Sequence, residues 1–208
     1  ERRRHHLFYN ALFLPIIWDM NVRQAELTRK TKETDITARM VLDGKADRTI
    51  DTGIGFFDHM LDHLSKHSGI SLRVEAKGDL DVDFHHTVED VGIVLGELLL
   101  EALGDSRGIS RYGSVSVPME ETLADCAIDL CGRGALVYNV PVTQPKVGEF
   151  DSELGHDFFQ AISRSGKFCL HLNIRYGKNQ HHILEALFKA FAQALKQAIA
   201  LTGSDEIP

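Results

Sequence analysis

The sequence predicts an α+β fold, in which an internally duplicated strand-strand-helix-strand-helix unit forms two four-stranded sheets with helices packed between them. Three observations predict it. Apolar residues first alternate at period two and then recur at three- and four-residue steps, in the same order in each half of the 208 residues. His85 and His181 each open an apolar helical run and stand 96 residues apart (181 − 85), while Gly69 and Gly166 close shorter runs 97 apart (166 − 69), an offset that marks a duplication. With 43% hydrophobic and 25% charged residues, the chain is apolar enough for a sizeable core, and its length suits one domain or two small halves.

The elements follow in order. The polar segment NVRQAELTRKTKETDI begins after Met20, and from Asp35 onward Ile36, Ala38, Met40 and Leu42 alternate with Thr37, Arg39 and Val41, the pattern of a half-buried strand. FFDHMLDHLSKHSG (56–69) sets Phe57, Met60, Leu61 and Leu64 on one helical face and stops at Gly69, a C-terminal cap. Leu72, Val74 and Ala76 alternate again, and HHTVEDVGIVLGELLLEALG then has the spacing of a buried helix. In the second half SVSVPMEETLADCAIDLCG and ALVYNVPV read as strands, DSELGHDFFQAISRSG as a helix, FCLHLNIRYG as a strand and HHILEALFKAFAQALKQAI as a helix. Pro118, Pro141 and Pro145 mark loops. Residues 23–208 are expected to be a single domain of two repeats, about 23–110 and 111–203. Residues 1–22 are expected to be an extra N-terminal segment: three arginines and an apolar stretch imitate a secretory signal, but no small-x-small cleavage site follows. His5 and His6 are set aside with it.

Composition excludes several classes. The chain has 23 Lys and Arg against 30 Asp and Glu, a net charge of −7, which disfavours a general nucleic-acid binder. No apolar run reaches the roughly 20 residues that span a bilayer, so no membrane partner is expected. Cys126, Cys131 and Cys169 are odd in number and lack CxxC spacing, which argues against a disulfide framework and for a reducing cytoplasm. HExxH, GxxxxGK[ST] and GxSxG are all absent.

Chemistry concentrates in HHTVE (85–89) and HHILE (181–185), which stand at equivalent points of the two halves. Successive helical side chains point about 100° apart, so the members of one pair cannot easily serve one ion, though each can serve a different one. With Glu89 and Glu185 they offer four imidazoles and two carboxylates, a set suited to Mn, Fe, Zn or Co rather than Ca or Mg. His59, His63 and His67 form a stripe at i, i+4 and i+8, with His63 expected to be structural; either His156 or Asp157 is a further ligand candidate, and His171 is expected to be a satisfied structural histidine. Arg111, Arg133 and Lys189 near these elements suit a small anionic, phosphorylated substrate. Residues alone lead to a dinuclear metal enzyme acting on a small anion. A dinuclear metallohydrolase and a metal-storage or metal-scaffolded assembly protein are the competing classes.

Taken together, GFFDHML, DVDFHHTVEDVGIVLGE, ISRYG, PMEETLA and YGKNQHHILEALFKAFAQALKQA resemble the imidazoleglycerol-phosphate dehydratase family of histidine biosynthesis, over about 23–200. The resemblance implies a duplicated α/β unit that assembles through trimers into a homo-oligomer of twenty-four subunits, with dinuclear Mn²⁺ sites at subunit contacts. It implies one manganese held by His59, His86, His181 and Glu185, and another by His85, Glu89, His182 and Asp157, where relatives carry histidine or glutamate and His156 is displaced by one. It also implies that Glu33, His67, Arg111, Arg133 and Lys189 contact substrate, the cations holding its phosphate. Two departures stand out: Cys131 occupies the place of the family's usual serine, and the sequence given ends at Pro208, before a serine- and lysine-containing tail that helps grip phosphate in relatives. No DxDxT phosphatase segment precedes the dehydratase region.

The implied reaction removes water from imidazole glycerol phosphate without a carbonyl to accept charge, so the imidazole ring must be the electron sink. The expected course is metal-favoured imidazolate, expulsion of the neighbouring hydroxyl through a diazafulvene-like species, and proton loss to an enol that becomes imidazole acetol phosphate. Glu33 is the expected proton carrier, with His85 and His181 counted among the catalytic groups.

Overall fold

The computed structural model describes residues 22–208. The expectations for His5, His6 and the leader therefore lie outside the described residues. Each half of the molecule forms a four-stranded sheet of the same topology, and the helices of the two halves meet between the sheets.

The first half runs β1 (Gln24–Lys30), β2 (Thr34–Val41), β3 (Arg48–Asp51), α1 (Gly55–Ser68), β4 (Ser71–Gly78) and α2 (His85–Leu103). The second runs β5 (Tyr112–Met119), β6 (Thr122–Asp129), β7 (Ala135–Asn139), a two-strand ribbon β8 (Lys146–Val147) and β9 (Phe150–Asp151), α3 (Leu154–Ser165), β10 (Cys169–Tyr176) and α4 (Gln180–Ala198). Sheet orders are β1-β2-β4-β3 and β5-β6-β10-β7, with the last pair of each parallel and the others antiparallel. Three strands of the four-stranded sheet thus precede the first helix of each half, one more than the expected strand-strand-helix order, and the β8–β9 ribbon adds two short strands in the second half. The added β3 is a four-residue edge strand, largely exposed, and joins β4 in parallel through α1.

Alternation holds where the sheets face the helices: Ile36, Ala38 and Met40 point inward from β2, and Leu72, Val74 and Ala76 from β4. Gly69 ends α1 in the left-handed conformation (φ 82°), its N–H donating to the Ser65 carbonyl oxygen. Its counterpart Gly166 is right-handed, and Lys167 takes the positive φ of 53° instead. The halves join along two helix pairs, α2 on α3 and α1 on α4. Phe57, Phe158, Phe159, Phe188 and Phe191 are fully or almost fully buried there, with Phe158 and Phe188 stacked at 5.0 Å between centroids. Rings of this size each remove about 150–250 Å² of surface from water, so this seam is the centre of one shared core.

Candidate metal centre

Where α1 crosses α4, two histidine-bearing stripes at one-turn spacing face each other: His59, His63 and His67 on α1, and His181, Glu185 and Lys189 on α4. The Asn179 side chain caps α4 by accepting from the backbone N–H groups of His181 and His182, fixing where the helix and its doublet begin. Glu185 is buried, and its two carboxylate oxygens serve different neighbours. Oε2 lies 3.1 Å from His181 Nε2 and 3.5 Å from His59 Nε2, while Oε1 lies 3.3 Å from His63 Nε2 and 2.5 Å from Lys189 Nζ. Burial alone would raise this carboxyl, but the hydrogen bond from Lys189, with His63 and His181 close by, outweighs it and holds the group at about 2. A permanent anion therefore lies between two imidazoles.

Donor atoms of His59, His181 and Glu185 all lie within 4.8 Å of one another. Two ligands bound to one first-row ion at about 2.1 Å and near-tetrahedral or octahedral angles stand roughly 3.0–3.5 Å apart. The trio fits a divalent transition ion, with Lys189 neutralising the carboxylate oxygen that faces away from it.

Adjacent histidines diverge as the helical step requires. The rings of His85 and His86 are inclined at 69° and those of His181 and His182 at 81°, and each member meets a different partner. His85 Nδ1 lies 3.1 Å from Asp157 Oδ2 on α3, while its Nε2 lies 3.8 Å from Glu89 Oε2. These three touch, but the carboxylates face opposite nitrogens of one ring, so they do not converge on a single point. His86 Nδ1 is 3.0 Å from Asp79 just after β4, and His182 Nδ1 is 2.7 Å from Glu121 in the β5–β6 hairpin. Neither joins the His59 trio. His156 packs edge-on against the Tyr138 ring at 5.2 Å, leaving Asp157 as the α3 group that meets His85. Asp90, buried in α2 one residue after Glu89, accepts from Arg29 at 2.9 Å and from the Thr34 hydroxyl at 2.5 Å, pinning this helix start to the β1–β2 hairpin.

The expected substrate contacts divide in space. His67 stacks on His63 at 5.5 Å and Lys189 is on Glu185, both in the α1–α4 cluster. Glu33 is exposed in the β1–β2 turn, close enough to His86 to raise its pKa, though Asp79 does so more. Arg111, with a positive φ of 67°, donates to Asp129 at 2.7 Å, and exposed Arg133 follows in the next loop. These two arginines occupy the end of the second sheet opposite the Glu121 hairpin, separated by eight-residue strands that span roughly 25 Å. One chain does not gather its arginines and its histidine trio.

Three contacts escape sequence reasoning. His63, expected to be structural, contacts both Glu185 and His59, the latter at 3.2 Å. Burial pushes its imidazole down to about 4, and its Nδ1 has no hydrogen-bond partner among the described residues. Glu121 and Asp79, neither singled out, orient one imidazole each. Glu121 had a signal: Glu33 and Glu121 each directly precede the threonine, Thr34 or Thr122, that opens the second strand of their half. His171, expected to be satisfied, is exposed on β10 and lines a shallow groove on the outer sheet face.

Comparison with known proteins decides the family. The sequence profile described as imidazoleglycerol-phosphate dehydratase matches residues 52–195. The chain belongs to that family. Among relatives bearing that name, the Exiguobacterium sp. protein is 51% identical over 187 residues, covering 90% of this chain and 96% of the relative. The Listeria innocua protein is 56% identical over 180 residues, covering 86% and 93%. The crystal structure of imidazoleglycerol-phosphate dehydratase from Staphylococcus aureus superposes with a TM-score of 0.79 at 39% identity, covering 86% of this chain and 99% of that one. The Pyrococcus furiosus family structure gives a TM-score of 0.73 at 31% identity, covering 86% and 97%. Every candidate ligand named above falls within the family match, and Glu33 precedes it. The fold expected for the family, two four-stranded sheets enclosing the helices, is the fold found. No helix among the described residues is long and apolar enough to cross a membrane.

Proposed function

We propose that this chain dehydrates imidazole glycerol phosphate to imidazole acetol phosphate in histidine biosynthesis, with two Mn²⁺ ions per active site. The observation that carries this reading is the His59, His181 and Glu185 trio on a chain of the dehydratase family. The first ion takes His59, His86, His181 and Glu185, and the second His85, Glu89, His182 and Asp157. When bound, the metals supply Lewis acidity that favours the imidazolate form of the substrate ring. His86 and His182, turned to Asp79 and Glu121 within the chain, are offered to neighbouring copies. The distance between the arginines and the trio supports the same arrangement, a site shared between copies of a homo-oligomer, with a 24-mer of trimers as the expected form.

Within that site the chain's own groups have separable tasks. Arg111, Arg133 and Lys189 bind the phosphate and fix the glycerol chain against the ring-binding histidines, with His67 beside them. Glu33 carries the proton, taking it from the carbon next to the one that loses hydroxyl. Asp79 and Glu121 orient His86 and His182, the part that outer carboxylates play around a metal. Residues 23–208 act as one catalytic domain, and the free cysteines support a cytoplasmic setting.

The test is turnover of imidazole glycerol phosphate by manganese-loaded protein, followed by the appearance of imidazole acetol phosphate. Glu33→Gln is expected to bind substrate and lose turnover, whereas Glu185→Gln loses metal affinity by more than about 100-fold, since even outer-shell changes cost 10–100-fold. Release of inorganic phosphate without dehydration would assign the site to hydrolysis. Sizing with and without chelator tests the assembly.

A further inference from the structure

The connection from β6 to β7 must cross the start of β10, because β10 lies between those strands in the second sheet. The crossing carries Cys131, and Cys169 opens β10, so two sulfurs meet 3.4 Å apart. Both thiols are free and partly exposed, and both donate to the Arg133 carbonyl oxygen at 3.6 Å. The third cysteine, Cys126, is buried on the inner face of β6 and takes no part.

Each thiol has a distinct character. Partial burial opposes ionisation of Cys131, but hydrogen bonding that favours its ionised form, from the backbone at Arg133 and from the Cys169 S–H when this turns from the Arg133 carbonyl to the Cys131 sulfur, holds it below the ordinary thiol value. The same thiol contact, with burial, raises Cys169. The more acidic Cys131, the better attacker once ionised, and the proton-retaining Cys169 stand side by side.

We propose that Cys131 and Cys169 form a reversible oxidation site, which closes to an intrachain disulfide at the expense of a small-molecule disulfide. The Cys131 thiolate attacks one sulfur of oxidised glutathione, forming a mixed disulfide and expelling one glutathione thiolate. Cys169 then gives up its proton and attacks the Cys131 sulfur, expelling the second. Two protein thiols are oxidised and one glutathione disulfide is reduced to two glutathione molecules. Closure removes both S–H donors from the Arg133 carbonyl and ties the 130–134 loop to β10. Its effect on substrate rests on the reading of Arg133 as a phosphate ligand: losing that charge-assisted hydrogen bond raises KM about tenfold.

Full-length, metal-loaded protein is incubated with oxidised glutathione, digested without reduction and analysed by mass spectrometry. The expected product joins the Cys131 and Cys169 peptides with loss of two hydrogens, reverts with dithiothreitol, and is absent from Cys131→Ser and Cys169→Ser. No reaction at either thiol, or a lasting glutathione adduct with no cross-link, would overturn the site. KM is measured on reduced and oxidised protein beside Arg133→Ala. If Arg133→Ala raises KM and oxidation does not, the coupling of disulfide to phosphate binding is refuted. If Arg133→Ala leaves KM unchanged, the phosphate role of Arg133 fails, and the cross-link still decides the thiol pair.

Discussion

Gly92 sets how closely α2 approaches α3, and Gly92→Ala tests whether that approach holds the two halves of the candidate site in place. An added Cβ would lie 2.8 Å from the Ala161 Cβ and 2.9 Å from the Phe158 carbonyl oxygen. Carbon atoms pack at about 3.5–4.0 Å, so the helices must part by roughly 1 Å. Asp157 directly precedes Phe158, so the opening acts on its 3.1 Å contact with His85. Alanine favours the helix by about 1 kcal/mol, and overpacking costs about 1–3 kcal/mol, leaving a loss of roughly 0–2 kcal/mol. At about 2–4 °C per kcal/mol for this size, Tm falls by up to about 8 °C. A misplacement of about 1 Å costs turnover up to roughly 100-fold. Thermal melting of metal-free protein and steady-state kinetics measure the two effects. Gly55→Ala is the control, since nothing lies within 4 Å of its added Cβ. A Gly92→Ala protein that melts at or above the parent and keeps full turnover would refute the reasoning.

Two more outcomes follow from the same geometry. The hydrogen bond to Asp79 raises His86 above the ordinary imidazole value. The stability it lends metal-free protein is fully present below about pH 6.5 and is lost as pH rises through the folded-state value; NMR titration should show the His86 midpoint falling in Asp79→Asn, and an unmoved midpoint would show that the pair does not form. Phe158→Ala removes a fully buried ring with neighbours at 5.0–5.4 Å, costing about 3–5 kcal/mol and lowering Tm by roughly 6–20 °C; a calorimetric drop under about 3 °C would place the core elsewhere.

Long, strongly periodic elements were legible. The residues 56–69 pattern became α1 (Gly55–Ser68) with the expected glycine cap, and both doublets lie in the first turn of their helices. Short edge strands were not. β1 contributes few inward apolar side chains from a polar segment, and RTID is too short to carry a period. Alternation is written only where a strand covers a core. In the site, helical spacing separated adjacent histidines correctly but could not say which member of the His59, His63, His67 stripe turns inward. That depends on where α4 lies, more than a hundred residues later in the chain. Glu121 reaches His182 across 61 positions by the same kind of long-range contact. The Cys131–Cys169 encounter depends on a strand inserted between β6 and β7, which no local pattern records.

The helix seam makes each half dependent on the other. Cut between α2 and β5, either portion would keep its sheet and hydrogen-bonded ladder but leave bare the apolar surface that Gly92, Gly96 and the phenylalanines now close. Either half alone would need a second apolar surface to cover that face, which only the other half supplies here. Joined in one chain, the halves need not match at their doublets: one meets Asp79 and the other Glu121.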